Sequence, residues 1–271
     1  MLAAEEKPLA VVLLSGGMDS AVAASMMART HGLACLHGTY GQRTANRERV
    51  CFGALSQYLG AVNRRVMDLS HLGDLGGSSL TDPGLQVADA DPARTGIPAT
   101  YVPFRNAHLL AMAVSWAEVL GARQVAIGAV EEDSSGYPDC TRAFYAAFQE
   151  AVRLGTRPGS RIELVMPVID LSKAEIVRRG QELATPFHLT WSCYRDEALA
   201  CGRCDSCVLR LRGFAAAGLS DPIQYDPAVE VPGDAGNGSP AAGPRGGEAP
   251  NMSRVRRAAA LTAFLERLRR P

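Results

Sequence analysis

The chain has 271 residues, 47% of them apolar and 21% charged, enough to bury a sizeable core in one large domain or two small ones. Its net charge is zero but unevenly spread: residues 254–271 carry six arginines against Glu266, leaving a mildly acidic body that argues against a broad nucleic-acid surface. No apolar run approaches the roughly 18 residues of a membrane span and Met1–Lys7 shows no secretory pattern, so a cytoplasmic enzyme without a membrane partner is expected.

A buried strand is predicted near 9–14, followed at once by Ser15-Gly16-Gly17 and a helix from Asp19 to Thr30. In an open parallel sheet, such a turn lies at the carboxyl edge where ligands bind. Glycines let backbone N–H groups converge on an anion, and the helix start adds partial positive charge. Asp19 would repel a phosphate alone, but fits if Mg²⁺ bridges carboxylate and phosphates; capping of the helix by Asp19 or Ser20 is the alternative. No Walker loop and no G-x-G-x-x-G opens this helix.

A second strand over 33–40, a helix over 44–60 and a third strand over 62–69 follow. Residues 73–98 are rich in Gly, Asp and Pro and too long for an ordinary connection, so they read as a lid or a surface insertion. Then come a helix at 106–121, a strand at 124–130, a helix at 141–154, a strand at 162–168 and a helix at 173–183. Strands alternating with helices predict an α/β fold with a mostly parallel, Rossmann-like sheet covered on both faces.

Beyond it, Cys193, Cys201, Cys204 and Cys207 lie within fifteen residues. Four thiols at this spacing suit a closed, structural Zn²⁺ site; reduced thiols or an iron–sulfur cluster are the other readings, and the spacing does not match the ferredoxin run. Residues 232–250 have linker composition, and 254–268 show apolar residues three or four apart, as in an amphipathic helix.

Five motifs in order, SGGMDS (15–20), YVPFRN (101–106), SSGYPDC (134–140), DLSKAEIV (170–177) and TWSCY…CGRCDSC (190–207), resemble the QueC family, within the PP-loop ATP pyrophosphatases. The match spans about residues 9–225. The resemblance implies an AMP-forming C–N ligase of queuosine biosynthesis, acting on 7-carboxy-7-deazaguanine, ammonia and ATP to give 7-cyano-7-deazaguanine. It also implies a homodimer that needs no nucleic acid.

By the same resemblance, Leu14, Ser15, Gly16, Gly17, Met18, Asp19 and Ser20 form the pyrophosphate loop, with Asp19 as the Mg²⁺ ligand. Lys173 and Arg105 are the other catalytic candidates. Lys173 would offset charge on departing pyrophosphate, and Arg105 would hold an α-phosphate or the substrate carboxylate. Tyr137 offers a stacking face, and Asp133 or Asp139 would accept from the guanine-like edge; Asn106 either caps its helix or binds.

The implied organisation is a PP-loop domain at 1–190 with the lid-like loop 73–98, a zinc region with a helix at 191–227, a linker at 228–253 and a basic helical tail at 254–271. The linker and tail pass the usual family end, and Phe104 stands where the family most often has a small residue. Another PP-loop enzyme, such as an RNA-thiolating one with Cys140 as sulfur relay, is the alternative.

Overall fold

Leu9–Leu13 forms β1, a strand whose residues from Ala10 onward are buried. Such a strand has neighbours on both edges, and β1 lies in the middle of a five-stranded parallel sheet ordered β3-β2-β1-β4-β5. The computed structural model describes residues 7–131 and 136–229. The predicted linker from residue 230 onward and the basic tail, like Asp133 in the loop after β4, lie outside the described residues.

β2 (Gly32–Thr39) pairs with β1 from Leu9↔Gly32 to Leu13↔Leu36, and β4 (Gln124–Ile127) flanks the other edge from Ala10↔Gln124 to Leu13↔Ile127. The chain therefore reverses direction across the sheet at β1, and a crevice opens at the carboxyl ends of β1 and β4. β3 (Asn63–Asp68) and β5 (Glu163–Val165) are the edges. β3 places Arg64 and Arg65 on its exposed stretch, and edge charges of this kind oppose pairing with another chain.

Two predicted strands end early, each for a local reason. The predicted 124–130 strand stops at Ile127 because Gly128 runs against the first helix: a Cβ there would sit 2.6 Å from Ser20 Cα. The predicted 162–168 strand stops at Val165, before Pro167, which has no N–H for a ladder.

The sheet is covered by α1 (Met18–Ala28) and α2 (Ala45–Tyr58) on one face, sharing a core of Val12, Leu14, Ala21, Leu33, Leu55 and their neighbours. On the other face lie α4 (Arg105–Leu120) and α5 (Arg142–Gly155), packed on Val11, Leu36, Leu110 and Tyr145. α1 is alanine-rich and buried nearly all round, so α6 (Lys173–Glu182) can pack on its outer side through Val22, Ile176 and Val177. α7 (Asp205–Ala216) follows, against α6: a Cβ on Gly213 would sit 2.8 Å from Lys173 Cβ.

The lid-like loop begins in a short helix, α3 (His71–Asp74), that the sequence reading missed. Beyond α3 the segment is anchored. Ser78, Ser79, Leu80 and Val87 are buried, and Arg43 donates to the carbonyls of Ser79 and Asp82. Arg94–Asp205 and Arg195–Asp89 ion pairs tie it to the cysteine-bearing region. Among the described residues no helix is long and apolar enough to cross a membrane.

His37, 1% exposed on β2, sets a pH limit on the fold. Its ring stacks on Phe52 at 5.2 Å and its Nδ1 bonds the carbonyl of Leu14 at 3.1 Å, so the neutral ring carries its proton on Nδ1. Burial lowers its pKa to about 4, below the ordinary 6.5. A depressed pKa means the unfolded chain binds the extra proton, so this stability is present above pH 6.5 and is lost as pH falls toward 4. The expected loss approaches about 3 kcal/mol. Urea unfolding at several pH values should show that slope, and the His37→Gln variant a shallower one.

Candidate functional site

The crevice is a cavity of about 270 Å³ lined by the ends of β1, β2 and β4, the starts of α1, α4 and α6, and residues flanking the cysteines. Of the residues named from sequence, Leu14, Ser15, Gly17, Met18, Asp19, Ser20, Arg105, Tyr137 and Lys173 all line it.

The turn after β1 is built by small side chains. Gly16 adopts φ +90°, and a Cβ on it would lie 2.8 Å from the carbonyl oxygen of Glu48, so only glycine lets the turn pass this close to α2. On the other side Trp191 N–H donates to the Gly16 carbonyl at 2.9 Å. Ser20 Oγ donates to Gly17 O at 3.0 Å and accepts from Ser15 N–H at 3.2 Å, while Gly17 N–H donates to Ser15 Oγ at 3.2 Å. The serine hydroxyls therefore hold the loop's shape as well as facing the cavity. The N-cap of α1 is Gly17, with no side-chain cap, so the capping alternative for Asp19 and Ser20 does not apply.

Asp19 lies in the first turn of α1, and Lys173 is the first residue of α6, positioned by a capping box between Ser172 and Glu175. They meet across 154 residues of sequence: Lys173 Nζ donates to Asp19 Oδ2 at 2.7 Å. Asp19 Oδ1 is buried with no hydrogen-bond partner among the described residues. An ionised carboxylate oxygen left bare in this way is costly unless something positive occupies its face, and a hard cation with oxygen ligands fits.

The opposite wall is aromatic. Arg105 opens α4, donates to Tyr40 Oη at 2.9 Å and lies over the faces of Tyr40 at 5.2 Å and Tyr137 at 5.8 Å. Tyr137 is buried with its hydroxyl on Thr100 Oγ1. Tyr194 also lines the cavity. Burial raises the Tyr40 pKa to about 12, so its hydroxyl stays neutral beside the guanidinium. Phe104, just before Arg105, is exposed at φ +57°, a conformation that favours glycine.

Asp139 is placed differently from Tyr137. It is buried, and its Oδ2 accepts the Asn106 backbone N–H at 2.8 Å, while Asn106 Nδ2 reaches Asp139 O and Cys140 Sγ. This pair stitches the 138–140 turn to the start of α4. Cys140 lines the cavity, but burial pushes its thiol up to about 11, leaving little thiolate at neutral pH.

Cys193, Cys201, Cys204 and Cys207 are all buried, with their sulfurs within 4.8 Å of one another. The Cys201–Cys207 separation of 3.9 Å compares with about 3.8 Å for two corners of a tetrahedron at a Zn–S distance of about 2.3 Å. Backbone N–H groups of Arg195 and Cys201 donate to Cys193 Sγ, and that of Cys204 to Cys201 Sγ, as suits thiolates. Gly202, at φ +65°, makes the knuckle turn. The site is compatible with a tetrahedral metal such as zinc.

Sequence reasoning missed Tyr40, Glu48, Trp191 and Tyr194, which also line the cavity; Arg210, expected to offset the charge of the cysteines, lines it too and pairs with Asp221. Tyr40 and Glu48 follow the carboxyl end of β2, and that position was a usable signal. Trp191 and Tyr194 flank Cys193, whose metal pattern hid their second role.

The family model described as "Queuosine biosynthesis protein QueC" matches residues 9–218. Proteins named 7-cyano-7-deazaguanine synthase are similar over nearly their whole length. That of Chlorobaculum parvum is 56% identical over 219 residues, covering 80% of this chain and 96% of the relative. That of Koribacter versatilis is 56% identical over 224 residues, covering 81% and 94%.

The turn geometry yields a stability contrast. Gly16→Ala must strain a positive φ and displace the Glu48 carbonyl, for an expected loss of about 2 kcal/mol or more. Gly17, at φ −80°, would bring its Cβ no nearer than 3.3 Å to a serine hydroxyl, and Gly17→Ala should lose much less. Thermal unfolding of the two variants checks this; equal losses would contradict it.

Proposed function

The chain belongs to the QueC family of queuosine biosynthesis proteins, and we propose that it converts 7-carboxy-7-deazaguanine and ammonia to 7-cyano-7-deazaguanine with two ATP. What carries the reading is one cavity that joins a lysine-paired carboxylate, one oxygen of which has no hydrogen-bond partner among the described residues, to an arginine among aromatic faces. The first set suits a polyphosphate, the second a flat heterocycle bearing an acid.

A carboxylate resists ammonia because oxide is a poor leaving group. Attack of the substrate carboxylate on the α-phosphorus of ATP breaks the α–β bond, releasing pyrophosphate and leaving an acyl adenylate. Ammonia adds to its carbonyl carbon, AMP leaves with the electron pair of the bond between that carbon and the bridging phosphate oxygen, and a proton is lost to give the amide. The amide oxygen then attacks the α-phosphorus of a second ATP, releasing pyrophosphate; loss of one N–H proton leaves an adenylated imidate, and departure of AMP with loss of the second N–H proton gives the nitrile. Both rounds place negative charge on departing pyrophosphate.

The backbone of Ser15–Gly17 and the start of α1 would receive that pyrophosphate. Lys173, held by Asp19 and by the capping of α6, would supply a fixed positive charge where negative charge develops. Asp19 Oδ1 would hold Mg²⁺, which when bound supplies charge neutralisation for the phosphates. Arg105 would grip the substrate carboxylate, and Tyr137 would face the heterocycle. Asp133 stays a candidate reader of the ring edge; Asp139, with its carboxylate turned to α4, is a weaker one. The four cysteines would hold one structural Zn²⁺ that fixes the Trp191–Tyr194 wall. A homodimer is part of the proposal, as is a cytoplasmic setting, where reduced thiols persist.

Mass spectrometry of the protein with 7-carboxy-7-deazaguanine, ATP, Mg²⁺ and ammonium tests this reading. Amide should appear before nitrile, with AMP as the nucleotide product. AMP without nitrile would favour another PP-loop acceptor, and no AMP would overturn the reading. Lys173→Met and Asp19→Asn should each lower AMP formation by about 100-fold or more. Elemental analysis should find one zinc per chain, and Cys204→Ser should lose it together with several degrees of melting temperature.

A further inference from the structure

Among the described residues the cavity wall has two carboxylates, Asp19 and Glu48. Asp19 faces Lys173. Glu48 has no such cationic partner among the described residues, and the chemistry above gives it no role.

Its carboxylate is nonetheless held in a fixed pose. Thr44 Oγ1 donates to Oε1 at 2.8 Å and Gln42 Nε2 to Oε2 at 2.9 Å, and Gln42 is itself fixed by the Tyr40 N–H on its Oε1 at 2.8 Å. Each oxygen thus receives one hydrogen bond and can accept a second. The carboxylate is oriented, but its acceptor capacity is only half used. Burial raises the Glu48 pKa against the pull of those two donors, so a ligand bringing further donors would be well received.

Arg105 acts electrostatically on Glu48, yet the two make no ion pair among the described residues. Two opposite charges kept apart in one cavity, with tyrosine faces beside them, match a ligand that carries an anion and a donor edge on one flat frame. Hydrogen bonds from adjacent ring N–H and amino groups to a carboxylate form a parallel pair, as guanidinium does with the same acceptor.

We infer that Glu48 is the specificity residue for the heterocycle, accepting from the ring N–H and the exocyclic amine of a 2-amino-4-oxo pyrimidine edge. The inference rests on the proposed reaction. It assigns the edge to a residue on α2, in place of the acids of the loop after β4. A ligand lacking the amine would cover the carboxylate while leaving one oxygen short of a donor, which is costly once water is excluded.

The experiment compares kcat/KM for 7-carboxy-7-deazaguanine and for its 2-desamino analogue. The native protein should prefer the amine-bearing substrate by about 10- to 100-fold. Glu48→Gln should bring that ratio toward unity while the KM for ATP holds, a result that mere loosening of α2 would not give. Glu48→Asp keeps the charge and should retain part of the ratio, which serves if the glutamine variant does not fold. Nitrile formed equally well from both substrates by the native protein would overturn the role of Glu48, as would a Gln variant that keeps the native ratio. No nitrile from either substrate would overturn the proposed reaction itself.

Discussion

Gly16 is the point on which the site depends. Its missing Cβ lets the loop after β1 lie against the Glu48 carbonyl on α2, and its own carbonyl takes the Trp191 N–H from the segment that carries the cysteines. Three pieces distant in sequence are joined through one residue's backbone. A side chain there would push α2 away and move both Glu48 and Trp191, so the loop after β1, the start of α2 and the wall beside the cysteines would shift together. The positive φ that this junction needs is available to glycine at little cost.

A second constraint fixes the cysteine-bearing region from below. Arg210 on α7 is buried, and its guanidinium forms a bidentate pair with Asp221 while also donating to Thr190 Oγ1. Tyr225 Oη donates to the same carboxylate. Burying such a pair is not in itself a source of stability, because desolvation offsets much of the attraction. What it does provide is geometry: breaking either partner strands a charge, so α7 and the 187–192 stretch can hardly slide apart. The four cysteines lie along the same stretch of chain, and the Asp89–Arg195 and Arg94–Asp205 ion pairs join the 73–98 loop to residues beside Cys193 and Cys204.

The sheet was legible because a buried parallel strand and an amphipathic or alanine-rich helix differ in period and composition, and the chain alternates them. Strand ends were less so. Ile127 ends β4 because Gly128 touches Ser20, a contact made by a helix more than a hundred residues earlier. The site divided in the same way. Ser15–Ser20 announced itself as a compact motif, and Cys193 to Cys207 as ligand spacing. Tyr40 and Glu48 carry no local motif, and Tyr194 sits inside the cysteine motif, which masks it; they belong to the cavity because β2 and the knuckle bring them there. Asp139 is the converse case: an acid in a loop beyond a strand reads as a substrate reader, while in the fold its Oδ2 accepts the Asn106 N–H at the start of α4.

The cavity's division of labour suits the two-round chemistry proposed for it. In that proposal the polar end, with Asp19, Lys173 and the α1 terminus, would handle groups that arrive and leave twice: ATP in, pyrophosphate and AMP out. The aromatic end must instead hold one molecule while its carboxylate becomes an amide and then a nitrile. The anion that Arg105 would grip is consumed in the first round, so the grip cannot retain the intermediate. The ring edge does not change in either round. A pocket that kept its hold on that edge, through the carboxylate oriented by Thr44 and Gln42, would retain the amide long enough to meet the second ATP. Retention by the unchanging part of the substrate is thus the physical condition under which one site can run both steps.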